Sequence, residues 1–176
     1  MKFHPLILDG AFLIDLESTA DERGSFARTF CIREFAALGL DPRVTQCNIS
    51  YNRRRGTLRG MHYQVAPYAE AKLVRCISGA IYDVIIDLRP GSVTRMRWIG
   101  VELNAADRGQ LYIPAGFAHG FQTLCNDSEV FYQISEYYSP EHGRGVRWDD
   151  RAFAIRWPLA DAIISDKDRS YPDFVI

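Results

Sequence analysis

Residues 71–92 read AKLVRCISGAIYDVIIDLRPGS, and this stretch decides the class of fold. Two runs rich in apolar and β-branched residues lie on either side of Gly79, as in two strands joined by a turn. Asp83 and Asp87 alternate with apolar residues in the second run. Lys72 begins the first run, either as a solvated charge at a strand edge or as a cation inside a barrel, where it would stabilise an oxyanion. The stretch therefore predicts β structure that carries a few polar side chains.

Similar short runs recur along the whole chain. Turn signals follow one another at roughly 8 to 14 residues, a spacing typical of an all-β sandwich or barrel. A jelly-roll barrel fits best, with a short helix over IREFAALGL (32–40) and another helical turn or two near the carboxyl end. Besides LRGMHYQ (58–64), the predicted strands are AFLIDLE (11–17), GSFARTF (24–30), VTQCNISYN (44–52), AKLVRCIS (71–78), AIYDVIIDLR (80–89), RMRWIGVELN (95–104), GQLYIPA (109–115), GFQTL (120–124) and EVFYQISEYY (129–138).

The length and composition favour one domain. With 176 residues, 47% of them apolar, the chain can bury one good core and is short for two, so we predict a single domain over residues 1–176. The formal net charge of -1 excludes the uniformly basic surface that nucleic acid requires. We therefore expect no nucleic-acid partner.

The amino-terminal segment, residues 1–17, has neither a signal-peptide core nor a membrane span. Pro5, Asp9 and Asp15 interrupt its apolar runs, so we expect a cytoplasmic protein that contacts no membrane. The cysteines are scattered without C-x-x-C spacing, which favours reduced core thiols over metal ligands or catalytic groups. They are Cys31, Cys47, Cys76 and Cys125.

The segment LRGMHYQ (58–64) contains an arginine and a histidine inside a predicted strand. Strict alternation puts Arg59 and His62 on opposite faces, but Gly60 permits a bulge that would change the count. Two interpretations stay open at this point. The segment holds either a structural histidine and a surface arginine, or two functional groups on one face.

A second histidine, His119, lies between Gly116 and Gly120, where the backbone can approach a ligand closely. Together with His62 it raises the question of a metal, since pairs of histidines on barrel strands are common ligands. The sequence has no H-x-H or H-x-x-x-H pair and no carboxylate that obviously completes a triad, so we predict no metal. It also contains no glycine-rich phosphate loop and no G-x-S-x-G nucleophile elbow.

The tyrosines and the charges near the carboxyl end each have an ordinary explanation. Tyr132 and Tyr138 lie in an aromatic strand, and strand tyrosines are mostly core or interface residues. Asp166, Lys167 and Asp168 in ISDKD are typical of a solvated terminal segment. None of these residues indicates a function by itself.

The order of the motifs is more informative than any one of them. DERGSF, QCNIS, GTLRGMHYQ, AKLVRC, LYIPAGFAHGFQTL, YYSPE and ISDKD follow one another over about residues 5–173, in a series that resembles the dTDP-4-dehydrorhamnose 3,5-epimerase family. The resemblance implies a cupin without metal or cofactor, an antiparallel jelly-roll that forms a homodimer with strand exchange. It also implies an isomerase that inverts carbon 3, carbon 5 or both in a nucleotide-linked 4-keto-6-deoxyhexose. Such an enzyme would serve deoxysugar, rhamnose and O-antigen biosynthesis.

By resemblance, four residues carry the proton transfer. His62 is the base, and Asp168, in preference to Asp166, is the carboxylate that orients it. Tyr132 is the acid on the opposite face, because a phenol with a pKa of about 10 stays protonated at neutral pH. Lys72 would hold the enolate charge at the keto oxygen.

The same resemblance implies a set of substrate-binding residues, in which cations hold the diphosphate and sugar while polar and aromatic side chains line the pocket. They are Arg23, Phe26, Gln46, Asn48, Arg59, His119, Tyr138 and Lys167. Two positions depart from the family pattern: Arg28 in RGSFART and Gly143 in PEHGRG stand where glutamates are frequent. The loss of two acceptors leaves the nucleotide base open. The sequence also leaves open which carbon is inverted.

Two other functions are compatible with these residues. One is another cupin enzyme, such as a sugar 3,4-ketoisomerase or a metal-dependent isomerase. The other is a barrel that binds a nucleotide sugar without catalysis. The complete set of His62, Lys72, Tyr132 and Asp168 favours the epimerase, because binding alone does not need it.

Overall fold

The computed structural model describes residues 1–175, and most of its regular structure is β-strand. The elements in chain order are β1 (Lys2–Pro5), β2 (Phe12–Asp15), β3 (Ser18–Asp21), β4 (Gly24–Ala27), α1 (Ile32–Ala37), β5 (Gln46–Asn52), β6 (Leu58–Gln64), β7 (Lys72–Ser78), β8 (Ala80–Asp87), β9 (Trp98–Asn104), β10 (Gln110–Ile113), β11 (Phe117–Thr123), β12 (Ser128–Ile134), β13 (Gly143–Gly145) and α2 (Asp166–Arg169).

Two antiparallel sheets enclose the main core. The six-stranded sheet has the order β1-β2-β10-β7-β12-β5, the five-stranded sheet has the order β13-β6-β11-β8-β9, and β3 and β4 form a separate hairpin. Val74 and Val130 of the first sheet pack with Ile81, Ile85 and Phe121 of the second. This arrangement confirms the predicted all-β, cupin-type antiparallel jelly-roll with a few short helices.

The stretch of residues 71–92 forms two strands that belong to opposite sheets. β7 lies in the six-stranded sheet and β8 in the five-stranded sheet, with Gly79 between them. Gly79 has a φ of 74°, a left-handed conformation that glycine adopts without steric cost. A Cβ atom at this position would also lie 2.5 Å from the Ser128 hydroxyl. The chain therefore turns from one sheet into the other at Gly79.

Different parts of the chain cover portions of the outer faces of the two sheets. Phe35 of α1 packs against Leu73 and Tyr112 on the six-stranded sheet. On the five-stranded sheet, Phe153 from the segment after β13 packs with Val84. Within residues 1–175, neither helix is long and apolar enough to cross a membrane.

Each predicted strand coincides with an observed one, while three short strands were not predicted from the sequence. β1, β3 and β13 have three or four residues, mostly exposed, and so lack the apolar alternation that predicts a strand. The predicted helix over residues 32–40 ends earlier, at Ala37, and Gly39 follows with a φ of 70°.

The expectation of core thiols is confirmed for Cys76 and wrong for two other cysteines. Cys47 and Cys125 are exposed, because one lies on the outward face of β5 and the other in the turn that follows β11. All four cysteines are free thiols in the described chain.

Gly60 and Gly120 allow β6 and β11 to approach each other closely. A Cβ on Gly60 would lie 2.5 Å from the Cα of Gly120. A Cβ on Gly120 would lie 2.6 Å from the sulfur of Met61 and 2.7 Å from the carbonyl oxygen of Arg59. Because backbone atoms are among these neighbours, neither site can accept a side chain without displacing a strand.

We expect Gly120→Ala to lower the free energy of unfolding by about 1–3 kcal/mol, the usual cost of overpacking a tight core. Urea denaturation measures the difference. Gly109→Ala is a matched control, because its Cβ would meet only Leu103 Cδ2, at 4.0 Å. Equal stability of Gly120→Ala and the natural chain would contradict the close approach.

Candidate active site

A cleft with two adjoining cavities opens between the sheets. We call them the His119 cavity, of about 430 Å³, and the Tyr138 cavity, of about 390 Å³. Both cavities are lined by His62, Lys72, Ile134 and Lys167. The His119 cavity also contains Asn48, Arg59, His119, Tyr132 and Asp168, and the Tyr138 cavity also contains Gln46, Tyr63, Gln64, Glu70, Glu136, Tyr138, Gly143, Arg144 and Tyr171.

A bulge in β6 resolves the question raised by LRGMHYQ. His62 pairs with His119 and Arg59 pairs with Phe121, so three steps along β6 match two steps along β11. The extra residue changes the alternation between Arg59 and His62. Both side chains consequently line the His119 cavity, as in the second of the two interpretations.

His62 and Asp168 form a hydrogen-bonded pair between β6 and α2. The Nε2 atom of His62 lies 2.7 Å from Oδ1 of Asp168, while Oδ2 accepts a weaker bond from the Gly60 amide at 3.4 Å. The Ser165 hydroxyl accepts the amide hydrogen of Asp168 and caps the short helix. Asp168 is buried and Asp166 is exposed, so only Asp168 can orient the imidazole.

The environment of Asp168 keeps it ionised. Burial alone would raise the pKa of its carboxyl, but the hydrogen bond with His62, aided by the Gly60 amide, outweighs burial and leaves the pKa below its ordinary value. A carboxylate at this position fixes the tautomer of His62, whose other ring nitrogen remains for the cleft.

His119 and Asp83 form a second, deeper pair. His119 Nε2 lies 2.9 Å from Asp83 Oδ2, and both side chains are almost wholly buried. Burial raises the pKa of Asp83, although His119 and Lys72 oppose this effect. The other carboxylate oxygen of Asp83 is buried without a hydrogen-bond partner in the described chain.

Tyr132 lies beside this pair on β12. Its ring meets that of His119 edge-on, with centroids 6.0 Å apart. Burial, together with the nearby charge of Asp83, raises the pKa of the Tyr132 phenol well above its ordinary value, while Arg59 acts in the opposite direction. The phenol therefore stays protonated at neutral pH and can donate a proton or hydrogen bond.

Lys72 forms the third pair, with Glu70. Its Nζ atom lies 3.1 Å from Oε1 of Glu70 and donates to the carbonyl of His62, also at 3.1 Å. Three basic side chains that line the cleft thus each contact a buried carboxylate. The pairs are His62 with Asp168, His119 with Asp83, and Lys72 with Glu70.

The Tyr138 cavity is shaped by two glutamines. The Gln46 side chain accepts the Tyr138 amide hydrogen at 2.5 Å. Gln64 bonds the carbonyl of Tyr137 and the amide of Ser139, at 3.1 and 2.6 Å. Tyr138 is therefore held from both sides by strands β5 and β6, with its ring free at the mouth of the cleft.

Ten of the twelve residues predicted for the site line the cleft, and two do not. Arg23 and Phe26 lie on the β3–β4 hairpin, beside neither cavity, and Phe26 is 80% exposed. In a single chain these two side chains therefore line no part of the cleft that contains His62. The ten residues in the cleft are Gln46, Asn48, Arg59, His62, Lys72, His119, Tyr132, Tyr138, Lys167 and Asp168.

Among the residues to which the sequence assigned no role, Glu70 and Tyr171 line the Tyr138 cavity, and Asp83 is buried behind His119. Glu70, two positions before Lys72, and Asp83, a charge within an apolar strand, were visible signals whose role depends on partners far along the chain. Tyr171 packs edge-on to His62, with ring centroids 6.1 Å apart. It occupies space that Gly145 leaves free, since a Cβ there would lie 2.2 Å from its ring.

The two departures from the family pattern differ in position. Gly143 lines the Tyr138 cavity, where it offers no carboxylate. Arg28 lies outside the cleft and pairs with Glu34 at 3.1 Å.

Residues 1–175 contain no cluster of three or more histidine, cysteine or acidic side chains suited to a metal ion.

Comparison with known proteins identifies what this cleft is similar to. The family model of dTDP-4-dehydrorhamnose 3,5-epimerase matches residues 5–175. The epimerase of that name from Sinorhizobium fredii is 42% identical over 98% of this chain and 89% of its own length. The Bacillus anthracis epimerase, solved with TDP and PPi bound, is 42% identical, with a TM-score of 0.94 over 98% of this chain and 99% of the other. A Legionella pneumophila 3,5-epimerase, in complex with dTDP-4-keto-L-rhamnose, is 35% identical, with a TM-score of 0.90 over 97% and 90%.

We expect Asp168→Asn to lower the free energy of unfolding at pH 7 by about 1–3 kcal/mol, the contribution of a hydrogen bond to a charged group. Because the pKa of Asp168 is lowered on folding, this contribution is present above the unfolded value near 3.8 and is lost as the pH falls through the folded pKa.

Urea denaturation of both proteins from pH 7 down to pH 3 measures the difference, which should narrow with acid. Asp166→Asn, on the same helix but exposed, should cost little. A deficit for Asp168→Asn that stays constant with pH would contradict the role of the carboxylate charge.

Proposed function

The chain belongs to the dTDP-4-dehydrorhamnose 3,5-epimerase family, and we propose that it inverts the carbons flanking the ketone of a dTDP-linked 4-keto-6-deoxyhexose on the route to dTDP-rhamnose. One domain spanning residues 1–176 carries this isomerase activity. The observation that supports it best is that His62 and Tyr132 line one cavity from opposite sheets, with Lys72 beside them. Inversion at carbon needs a base and an acid on opposite faces of the sugar.

The reaction begins with His62, which takes the proton from a carbon next to the ketone. The C–H electron pair forms the enolate double bond, and the carbonyl electrons move to oxygen. The Lys72 ammonium, whose side chain is mostly buried, stabilises that oxyanion. Asp168 stabilises the imidazolium that results.

Tyr132 completes the inversion from the other face. Its phenol gives a proton to the enolate carbon and the oxyanion returns to a ketone. Exchange with solvent then removes the extra proton from His62 and returns one to Tyr132. The high pKa of Tyr132 keeps the phenol protonated until the enolate, a strong base, is next to it. His119, held by Asp83, can hydrogen-bond the sugar at the same end of the cavity.

The cations and aromatic groups of the cleft suit a nucleoside diphosphate. Arg59 is held by Asn52 at 2.8 Å and, with Lys167, offers donors to the diphosphate. Tyr138 offers a ring against which a base can stack. The two relatives with bound ligands hold TDP with PPi and dTDP-4-keto-L-rhamnose, which supports thymidine as the nucleoside.

A homodimer with exchanged strands is a further part of the proposal. Phe26 and Arg23 lie on an exposed hairpin that cannot serve the cleft of its own chain. On the outer face of the six-stranded sheet, Ile49, Phe131 and Arg75 lie side by side in register, and Ile49 is 62% exposed. A second copy that covers this face would bury apolar surface and bring a hairpin to each cleft.

The cysteines bear on the location of the enzyme. Cys31, Cys47, Cys76 and Cys125 are free thiols. Free thiols are typical of a reducing compartment. This supports a cytoplasmic location, where the enzyme would act on a dissolved nucleotide sugar.

We expect the enzyme in deuterated water to exchange the hydrogens of carbons 3 and 5 of dTDP-4-keto-6-deoxyglucose, as followed by proton NMR. His62→Ala should slow exchange by about 10²–10⁴-fold, the usual contribution of a general base. Tyr132→Phe should keep exchange but lose inversion, because only the acid is removed.

His4→Ala, which removes an exposed histidine paired with Asp15, is the control and should behave as the natural enzyme. Exchange in His62→Ala at the natural rate would contradict the base assignment. Formation of a 3-keto sugar would favour a ketoisomerase, and binding without exchange would favour a non-catalytic barrel. Running CDP-, UDP- and GDP-linked substrates beside the dTDP sugar tests the nucleotide.

We expect a particle of twice 20.1 kDa in light scattering. We also expect activity to return when two inactive proteins, His62→Ala and Arg23→Ala/Phe26→Ala, are mixed under conditions that exchange subunits. In a mixed dimer, the first protein donates an intact hairpin to the intact cleft of the second. If the mixture stays inactive while mixed dimers form, the hairpin does not serve the partner's cleft.

A further inference from the structure

Glu70 is a buried carboxylate of the cleft that the proton transfer does not use. We infer that Glu70 is a positioning residue, which orients the ammonium of Lys72 toward the ketone oxygen and balances its charge inside the cleft. This inference rests on the proposed function, because it deepens the role of Lys72 in that reaction.

The geometry of the ammonium supports this role. Its Nζ atom donates a hydrogen bond to the His62 carbonyl at 3.1 Å and lies 3.1 Å from Glu70 Oε1 in an ion pair. An ammonium has three N–H donors, so these two contacts fix the position of Nζ and still leave an N–H for another acceptor. Lys72 lines both cavities, so the third N–H is available to a ligand in the cleft.

The backbone holds Glu70 and Lys72 in place. Ala71, between them, donates its amide to the Ser135 side chain at 2.8 Å and accepts the Ser135 amide at 3.0 Å. Residues two apart in an extended segment point to the same side, which brings the carboxylate next to the ammonium. The pair is therefore attached to the residue that directly follows β12, the strand that carries Tyr132.

Burial explains why the partner is an acid. The side chains of Lys72 and Glu70 are only 10% and 6% exposed, so water cannot solvate either charge well. Glu70 Oε2 has no hydrogen-bond partner within residues 1–175, and thus the ammonium is the partner that the described structure gives this carboxylate. A carboxylate kept buried for one cation is expected where that cation must stay charged and fixed.

The test is a double-mutant cycle on deuterium exchange. Glu70→Met keeps the volume and removes the acceptor, and it should lower kcat by about 10–100-fold, in the range for a displaced oxyanion donor, with KM changed by less than about twofold. If Glu70 acts through Lys72, adding Glu70→Met to Lys72→Met should not slow exchange further. Glu102→Met, on the exposed side of β9, is the matched control and should be neutral.

The inference would be overturned if Glu70→Met had the same kcat as the unchanged enzyme. It would also be overturned if Glu70→Met slowed the Lys72→Met protein by the same factor as it slows the unchanged enzyme. Glu70→Met leaves an unpaired buried ammonium and can fail to fold. Lys72→Met likewise leaves an unpaired buried carboxylate, so Glu70→Gln, which keeps an oxygen beside the ammonium at nearly the same volume, then carries the test and should also lower kcat, because the balancing charge is lost. If the unchanged enzyme catalyses no exchange, both the proposed function and this inference are wrong. If the enzyme catalyses exchange and substitution of Glu70 does not change its rate, only this inference is wrong.

Discussion

The close contact between Gly60 of β6 and Gly120 of β11 is the constraint on which the site depends. Because both residues lack a side chain, the two strands can approach closely at this point. The bulged β6 can therefore pair with β11 on both sides of the contact. The bulge directs the side chains of Arg59 and His62 into the same cavity, opposite the strand that carries Tyr132. The same Gly60 offers its amide to Asp168 and thereby ties the carboxyl-terminal helix to the barrel. The close contact of these two glycines thus determines where the side chains of Arg59, His62 and Asp168 lie.

Three basic side chains of the cleft are each paired with a buried carboxylate. The His62, His119 and Lys72 side chains contact Asp168, Asp83 and Glu70 at 2.7 to 3.1 Å. An unpaired charge at such depth would be costly, whereas paired groups can be held in fixed positions. Fixed dipoles and charges are what an enolate requires, because they stabilise its charge without having to reorganise during the reaction. The high pKa of Tyr132 arises from the same burial and the same Asp83.

In the proposed homodimer, the β3–β4 hairpin would connect the site to assembly. Its Arg23 and Phe26 project away from their own chain, and the uncovered face around Ile49 belongs to β5, an edge strand of the larger sheet. β5 also carries Asn48 into the cleft on its other face. Contact with a second copy would therefore act directly on a wall of the cleft, which makes association and activity parts of one arrangement.

The sequence by itself determined the β class, the positions of the main strands and ten of the residues that line the cleft, because alternation, turn residues and ordered motifs are local signals. It left the short strands β1, β3 and β13 undetected, and it could not put Arg59 and His62 on one face, since a bulge depends on the partner strand. It also offered no partner for Glu70 or Asp83. Only the tertiary structure decided these points, because a register shift, the corner at Gly79 and a buried ion pair are set by residues distant in sequence.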